Sequence, residues 1–379
     1  MGKMARISGV EAGAVRRFLS IASFLAGVLF FGLPSSTRGG DGVPPEPGSA
    51  GGEAALLWKF RTGGFVDSAP ALSEGIAWFG SWDRKFYAVD AGSGRQLWSV
   101  GTGDFIDASP AVSEGKVFFC SWDRVVRSVD GRTGAEIWRF TMPPSPFDDH
   151  RQSSPAVSGD RLFVGGYDGV LYALDARTGR KLWEIPTGGA IRSRPHPEGF
   201  VGSADGNLYA FDASTGEVRW RFPAGGAVHT SPAVAGGRVY FGSRDGKVYC
   251  LDASTGKPHW TYDAGARIEY SSPLIVGGIL YVGDCAGKLH AVSLRDGKPA
   301  WVFGGDAPIY SSPVIAAGRI AYGDNSGGIY FLDPARGTKT GGFRAGGAVQ
   351  AVAAGPEGSV LAGSRDGFLY AVALRRGTD

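Results

Sequence analysis

A phrase of about 40 residues returns eight times along this chain, and no other feature limits its possible folds so tightly. The cleanest copy runs from Thr230 to Trp260, TSPAVAGGRVYFGSRDGKVYCLDASTGKPHW. Its closing tryptophan recurs at Trp58, Trp98, Trp138, Trp183, Trp220, Trp260 and Trp301, at intervals of 40, 40, 45, 37, 40 and 41 residues. Phe343 reads as a last, degenerate mark of the same position. Within the copy, residues 231–234 and 239–242 read as two short strands. Arg244-Asp245-Gly246 signals a tight turn, residues 247–252 a third strand, ASTG another turn, and the segment with Trp260 a fourth strand. Four strands at this period are the signature of a β-propeller.

One such blade exposes two apolar faces, and stacking against neighbours buries both. The recurrent tryptophan is expected to pack between blades, where burying 150–250 Å² contributes at most about 4–6 kcal/mol. First-strand phrases begin near Ser68, Ser109, Ser153, Ser193, Ser231, Ser271, Ser311 and Gln350. The last unit ends after its third strand, residues 368–374, whereas residues 56–61 form a closing strand without a blade. The expected fold is therefore all-β: an eight-bladed propeller of four-stranded antiparallel blades, with the N-terminal strand completing the last blade and removing both exposed edges. In the fourth unit Arg194-Pro195-His196-Pro197 replaces the usual SPAV, which predicts a shortened first strand.

Residues 1–55 stand outside the repeat. Arg16 and Arg17 precede an apolar stretch at 18–33, FLSIASFLAGVLFFGL, so residues 1–33 read as an export signal peptide or, if uncleaved, an N-terminal membrane anchor. Sixteen residues span about 24 Å as a helix, short of the roughly 30 Å of a bilayer core. Residues 34–55 read as a flexible linker and 56–379 as the propeller. The net charge of +3, without a lysine or arginine run, argues against nucleic-acid binding. Cys120, Cys250 and Cys285 lie in different repeats; Cys120 stands where a sibling has Gly80 and Cys250 where another has Ala88, which predicts small buried side chains.

Phrases such as LYALDARTGRKLW, ending at Trp183, and LDASTGKPHW, ending at Trp260, resemble the PQQ-type propeller repeat over about residues 56–375. The resemblance implies one of two roles. Quinoprotein dehydrogenases hold pyrroloquinoline quinone and Ca²⁺ at the mouth of an eight-bladed ring. BamB-like propellers are non-enzymatic scaffolds of outer-membrane protein assembly. This chain has minimal blades and no adjacent cysteines, which favours the scaffold. It also lacks a cysteine in residues 1–55, so any tether would be the 18–33 segment rather than a lipid anchor.

Function in propellers concentrates on loops, where a fixed framework leaves side chains free to vary. The residues just before each first strand predict a funnel rim of Asp67, Asp107, Arg151, Arg192, His229, Tyr270, Tyr310 and Gln350. The turns Ser81-Trp82-Asp83-Arg84 and Ser121-Trp122-Asp123-Arg124 place Trp82, Arg84, Trp122 and Arg124 where other blades carry plain Asp-Gly. Tryptophan beside arginine is a typical interface anchor. The long third interval carries an insertion, MPPSPFDDHR, that offers Phe147, Asp148 and His150 to a partner. No catalytic constellation or metal site appears at recognisable spacing. The expected protein is an exported, periplasmic or extracytoplasmic, monomeric scaffold that binds protein partners without a cofactor, in cell-envelope or outer-membrane protein assembly. It meets the membrane only through its N-terminal segment. The alternative is a PQQ/Ca²⁺-dependent dehydrogenase or a small-ligand-binding sensor propeller.

Overall fold

The computed structural model describes residues 52–145, 153–305 and 307–375. The expectations for residues 1–51, which include the export signal or anchor and most of the linker, lie outside the described residues. The described chain is all-β and forms eight antiparallel blades. Six of them run from a three-residue first strand, such as Ala233–Ala235, through strands such as Arg238–Gly242 and Lys247–Asp252 to a closing strand such as Pro258–Asp263, while blade eight opens on the longer Val349–Ala354. The two middle strands are buried on both faces, because each is sandwiched between neighbouring blades. Blade four departs from the pattern. Pro195 and Pro197 remove ladder donors, leaving three strands and a single bridge from His196 to Phe200 in place of the first.

The eighth blade is closed by the N-terminal strand Gly52–Arg61, antiparallel to Phe368–Leu374. Trp58 pairs with Ala371 there, as Trp260 pairs with Cys250 and Trp98 with Ala88. This small residue opposite tryptophan explains Cys250, and Cys120 likewise occupies a glycine's place; both are fully buried. Register corrects the reading of Phe343. The tryptophan position in blade seven is Gly341, opposite Phe331, while Phe343 pairs with Ile329. Bulk has moved from the closing strand to the third strand. The vacated position lets the start of the N-terminal strand run alongside, with Gly52 and Glu53 pairing in parallel with Gly341 and Gly342.

Each periodic tryptophan reaches the turn between third and fourth strands of the next blade. Trp58, Trp98, Trp138, Trp220, Trp260 and Trp301 donate Nε1–H to the carbonyls of Ala91, Gly131, Ala176, Ala253, Leu294 and Pro334, at 3.0–3.2 Å. The ring lies flat on a turn glycine. At Gly256, φ is +71° and an added Cβ would meet Trp220 at 2.7 Å, so the recurrent Thr-Gly of the phrase serves both the turn and the neighbouring blade. Trp183 keeps its ring on Gly216, but its Nε1 finds no acceptor among the described residues.

The Asp-Gly turns act as fasteners. Asp245 accepts hydrogen bonds from Tyr249 Oη at 2.6 Å, from the nitrogen of Lys247 at 3.1 Å and from the nitrogen of Gly225, in the preceding inter-blade loop, at 3.1 Å. Gly226 is needed there for close approach rather than for an unusual φ: a Cβ would sit 2.8 Å from the Asp245 nitrogen. In blades six and seven the acid has moved two positions earlier, to Asp284 and Asp324, and still reaches the third-strand partner, His290 or Tyr330.

Candidate functional site

The first strands and the residues that lead into them line one cavity of about 710 Å³. It gathers Asp67, Asp107, Arg192, His229, Tyr270, Tyr310 and Gln350, each expected at the funnel rim. Arg151 lies outside the described residues. Arg365, which the sequence reading missed, joins them. It comes from the second-to-third turn of blade eight, and its Arg-Asp-Gly motif looked like an ordinary turn.

The rim is organised into two clusters. On one side Arg365 grips Asp67 with Nε at 3.0 Å and Nη2 at 2.9 Å, and donates to Gln350 Oε1 at 3.0 Å; Gln350 in turn donates to Asn325. On the other side Glu269 holds His229 Nδ1 at 3.2 Å and Arg244 Nε at 2.9 Å. Burial, with the nearby Arg192, outweighs the Glu269 contact and pushes His229 below the usual imidazole value. Burial raises Glu269, but His229 and Arg244 overcome it and keep the carboxylate charged. His229 stacks on Tyr270 at 5.9 Å, Tyr270 meets Tyr310 edge-on at 5.5 Å, and Arg192 Nη1 lies 2.6 Å from Tyr270 Oη. Glu269 entered through a one-residue insertion before Tyr270, visible in the sequence only as a 41-residue interval.

Beside the Asp67 cluster, Trp82 and Trp122 do not project as free anchors. Both are half-buried in an aromatic stack. Trp82 lies parallel to Phe105 at 5.1 Å, and touches Trp122 at 5.2 Å and Phe65 at 5.3 Å. Trp122 donates Nε1–H to Asp107 at 2.9 Å. Arg365 packs over Phe65 and Trp82, and Arg84 over Phe105. The outer surface of the stack is offered by Phe65, 40% exposed. Arg84 and Arg124 adopt φ of 68° and 67°, where the other blades place glycine. An L residue pays roughly 1–2 kcal/mol for that conformation. Phe147, Asp148 and His150 of the insertion lie outside the described residues.

These acids are already engaged by cations or donors, and calcium requires six to eight oxygens. Among the described residues no group of three or more His, Cys, Asp or Glu is placed to hold a metal. The donor set for calcium is thus not assembled by them. Tyr262, His290 and Asp284 form a chain with the connectivity of a proton relay, at 3.0 Å per contact. His290 is 2% exposed and Asp284 not at all, inside the blade where siblings use a Tyr–Asp pair, so the chain is a structural clamp. No helix among the described residues is long and apolar enough to cross a membrane.

The solved structures similar to this chain include BamB from Moraxella catarrhalis, at 19% identity and a TM-score of 0.71, covering 84% of this chain and 99% of that one. The computationally designed Ika8 protein matches at 19% identity and a TM-score of 0.72, covering 85% and 99%. A europium-containing methanol dehydrogenase matches at 15% identity and 0.67, covering 83% and 86%. At such identities these likenesses establish the fold alone. No curated protein matches the sequence. The family model described as outer membrane protein assembly factor BamB matches residues 50–196 and 193–378, nearly the whole propeller, and the chain belongs to that family of PQQ-type β-propellers.

Proposed function

We propose that this protein is an exported, non-enzymatic scaffold that binds a protein partner in outer-membrane protein assembly through the aromatic–arginine face of blades eight, one and two. The observation that carries this reading is the pair of arginines, Arg84 and Arg124, held at positive φ where glycine would be free of strain. Glu74, Glu114, Ala317 and Glu357 also stand at positive φ, but the two arginines do so in the turns that carry Trp82 and Trp122, within a stack of four aromatic rings of which Phe65 is exposed. That conjunction is what a binding surface preserves at the expense of stability. Membership of the assembly-factor family supports the class of partner.

Affinity capture from cell-envelope extracts tests it. The full chain should retain an outer-membrane assembly component, and Trp82→Ala with Trp122→Ala should lose it. Arg84→Gly with Arg124→Gly separates binding from folding. Relief of strain should leave these turns as stable as before or up to about 1 kcal/mol more stable, while capture weakens. Undiminished capture by both variants would rule out this face, and failure of the full chain to retain any envelope protein would remove the scaffold reading.

A further inference from the structure

The first-strand phrase Ser-Ser-Pro divides its two hydroxyls between two tasks. The first is buried and ties its own blade: Ser271 Oγ accepts the Gly283 nitrogen at 2.9 Å, and Ser311 Oγ accepts that of Gly323 at 2.8 Å. The second faces the cavity and ties the preceding blade. Ser109, Ser154, Ser231, Ser272 and Ser312 each accept a backbone N–H from the blade before, at 2.9–3.1 Å. All five line the same cavity, one per blade. Each hydroxyl spends a lone pair on the belt, and among the described residues none donates its proton to a protein acceptor. A serine hydroxyl has one proton to give. The belt therefore presents a set of unspent donors to the cavity.

Ala69 and Ala351 fill the belt position in blades one and eight, and blade four puts Arg194 there. The Arg194 backbone keeps the belt, donating to Ser231 Oγ at 3.1 Å, so only its side chain is out of pattern. That side chain is open to the cavity yet ringed by protein. Among the described residues no carboxylate pairs with it. The acids nearby are taken: Asp67 by Arg365, Asp107 by Trp122 and Glu269 by His229 and Arg244. Arg194 is exposed to the cavity, no carboxylate among the described residues uses its charge, and serine stands ready as the fold's own alternative. A departure from a local rule without structural gain marks a functional position.

We infer that this belt is a binding site for a small soluble oxyanion, a carboxylate or phosphate, with Arg194 as its charged anchor and the belt serines as supporting donors. The guanidinium fork presents two parallel N–H groups to two oxygens of the anion, and the hydroxyls satisfy its remaining lone pairs. A cavity of about 710 Å³ is large enough for an organic acid with a body beyond its charged group. Arg365 and Asp107 line the same cavity, but Arg194 and the belt serines take no part in the aromatic–arginine face, so the site stands or falls independently of the scaffold reading.

Calorimetric titration of the full chain with succinate, citrate and inorganic phosphate, each separately, tests the inference and distinguishes carboxylate from phosphate. At least one should bind saturably with a Kd of about 1 mM or tighter. Arg194→Ser restores the belt residue of the other blades, so it should melt no lower than the natural protein while weakening binding at least about tenfold. Ser231→Ala with Ser272→Ala should weaken it as well. Envelope-protein capture should be unchanged in Arg194→Ser. Absence of saturable binding of all three anions up to about 10 mM, or binding by Arg194→Ser as tight as that of the natural protein, would overturn the site.

Discussion

At the scale of single residues, the repeat is held by pairs that lie in different blades. Trp220 and Gly256 form one such pair, and a substitution series can isolate what the contact contributes. Gly237 and Gly256 share a φ of +71°, but a Cβ at Gly237 meets nothing within 4 Å, whereas at Gly256 it meets the Trp220 ring. Gly237→Ala should cost only the backbone penalty, roughly 1–2 kcal/mol. Gly256→Ala should cost about 1–3 kcal/mol more, the price of displacing a packed ring. Urea unfolding of the two variants gives the difference directly, and equal losses would show that the ring gives way freely. The periodic tryptophans were legible from spacing; their glycine partners, 33–41 residues away, were not, because nothing in one unit says which neighbour it touches.

At the scale of elements, the blade depends on the clamp between turn aspartate and third-strand tyrosine. Burial first, and then the hydrogen bond to Asp245, push Tyr249 up to about 12 from an ordinary 10. Tyr209 and Tyr370 rise to about 12 by the same causes, with Asp205 and Asp366 as partners. A raised tyrosine pKa means that the folded state prefers the protonated phenol. The clamp thus contributes its full stability below pH 10 and loses it as the pH climbs towards 12. Unfolding free energy should fall across that window, with phenolate absorbance appearing later than in free tyrosine. Tyr249→Phe should be less stable at neutral pH and show a shallower alkaline decline; an unchanged slope would contradict the assignment. The Asp-Gly turn itself was readable in the sequence, but its use as a fastener to the previous inter-blade loop was not. That function requires Gly225 and Asp245, 20 residues apart, to be brought together by ring geometry.

At the scale of the whole propeller, closure rests on the strand Gly52–Arg61, the first described element, paired with Phe368–Leu374, among the last. Removing residues 52–61 would strip blade eight of its fourth strand, expose an unpaired edge and leave Gly94 without the Trp58 ring. The truncated chain should aggregate or lose its cooperative melt, followed by circular dichroism and size-exclusion chromatography. A truncated chain that melts as before would refute this closure. The same stacking that closes the ring brings the first strands around one cavity, where seven of the eight rim positions expected from the sequence line a common wall.

The sequence by itself determined the period, the blade count and the closing strand, because each follows from local pattern: turn chemistry, short apolar runs and a tryptophan every 40 or so residues. Tertiary structure alone decided which of two serines in a phrase faces the cavity, that Gly341 rather than Phe343 holds the last tryptophan position, and that the Arg194 side chain stands in the belt with no carboxylate partner among the described residues. It also turned Trp82 and Trp122 from projecting side chains into members of a stack. The physical reason is common to all four. Side-chain direction alternates residue by residue along a strand, and partners belong to neighbouring blades, so orientation and company are properties of the packed ring rather than of any one repeat.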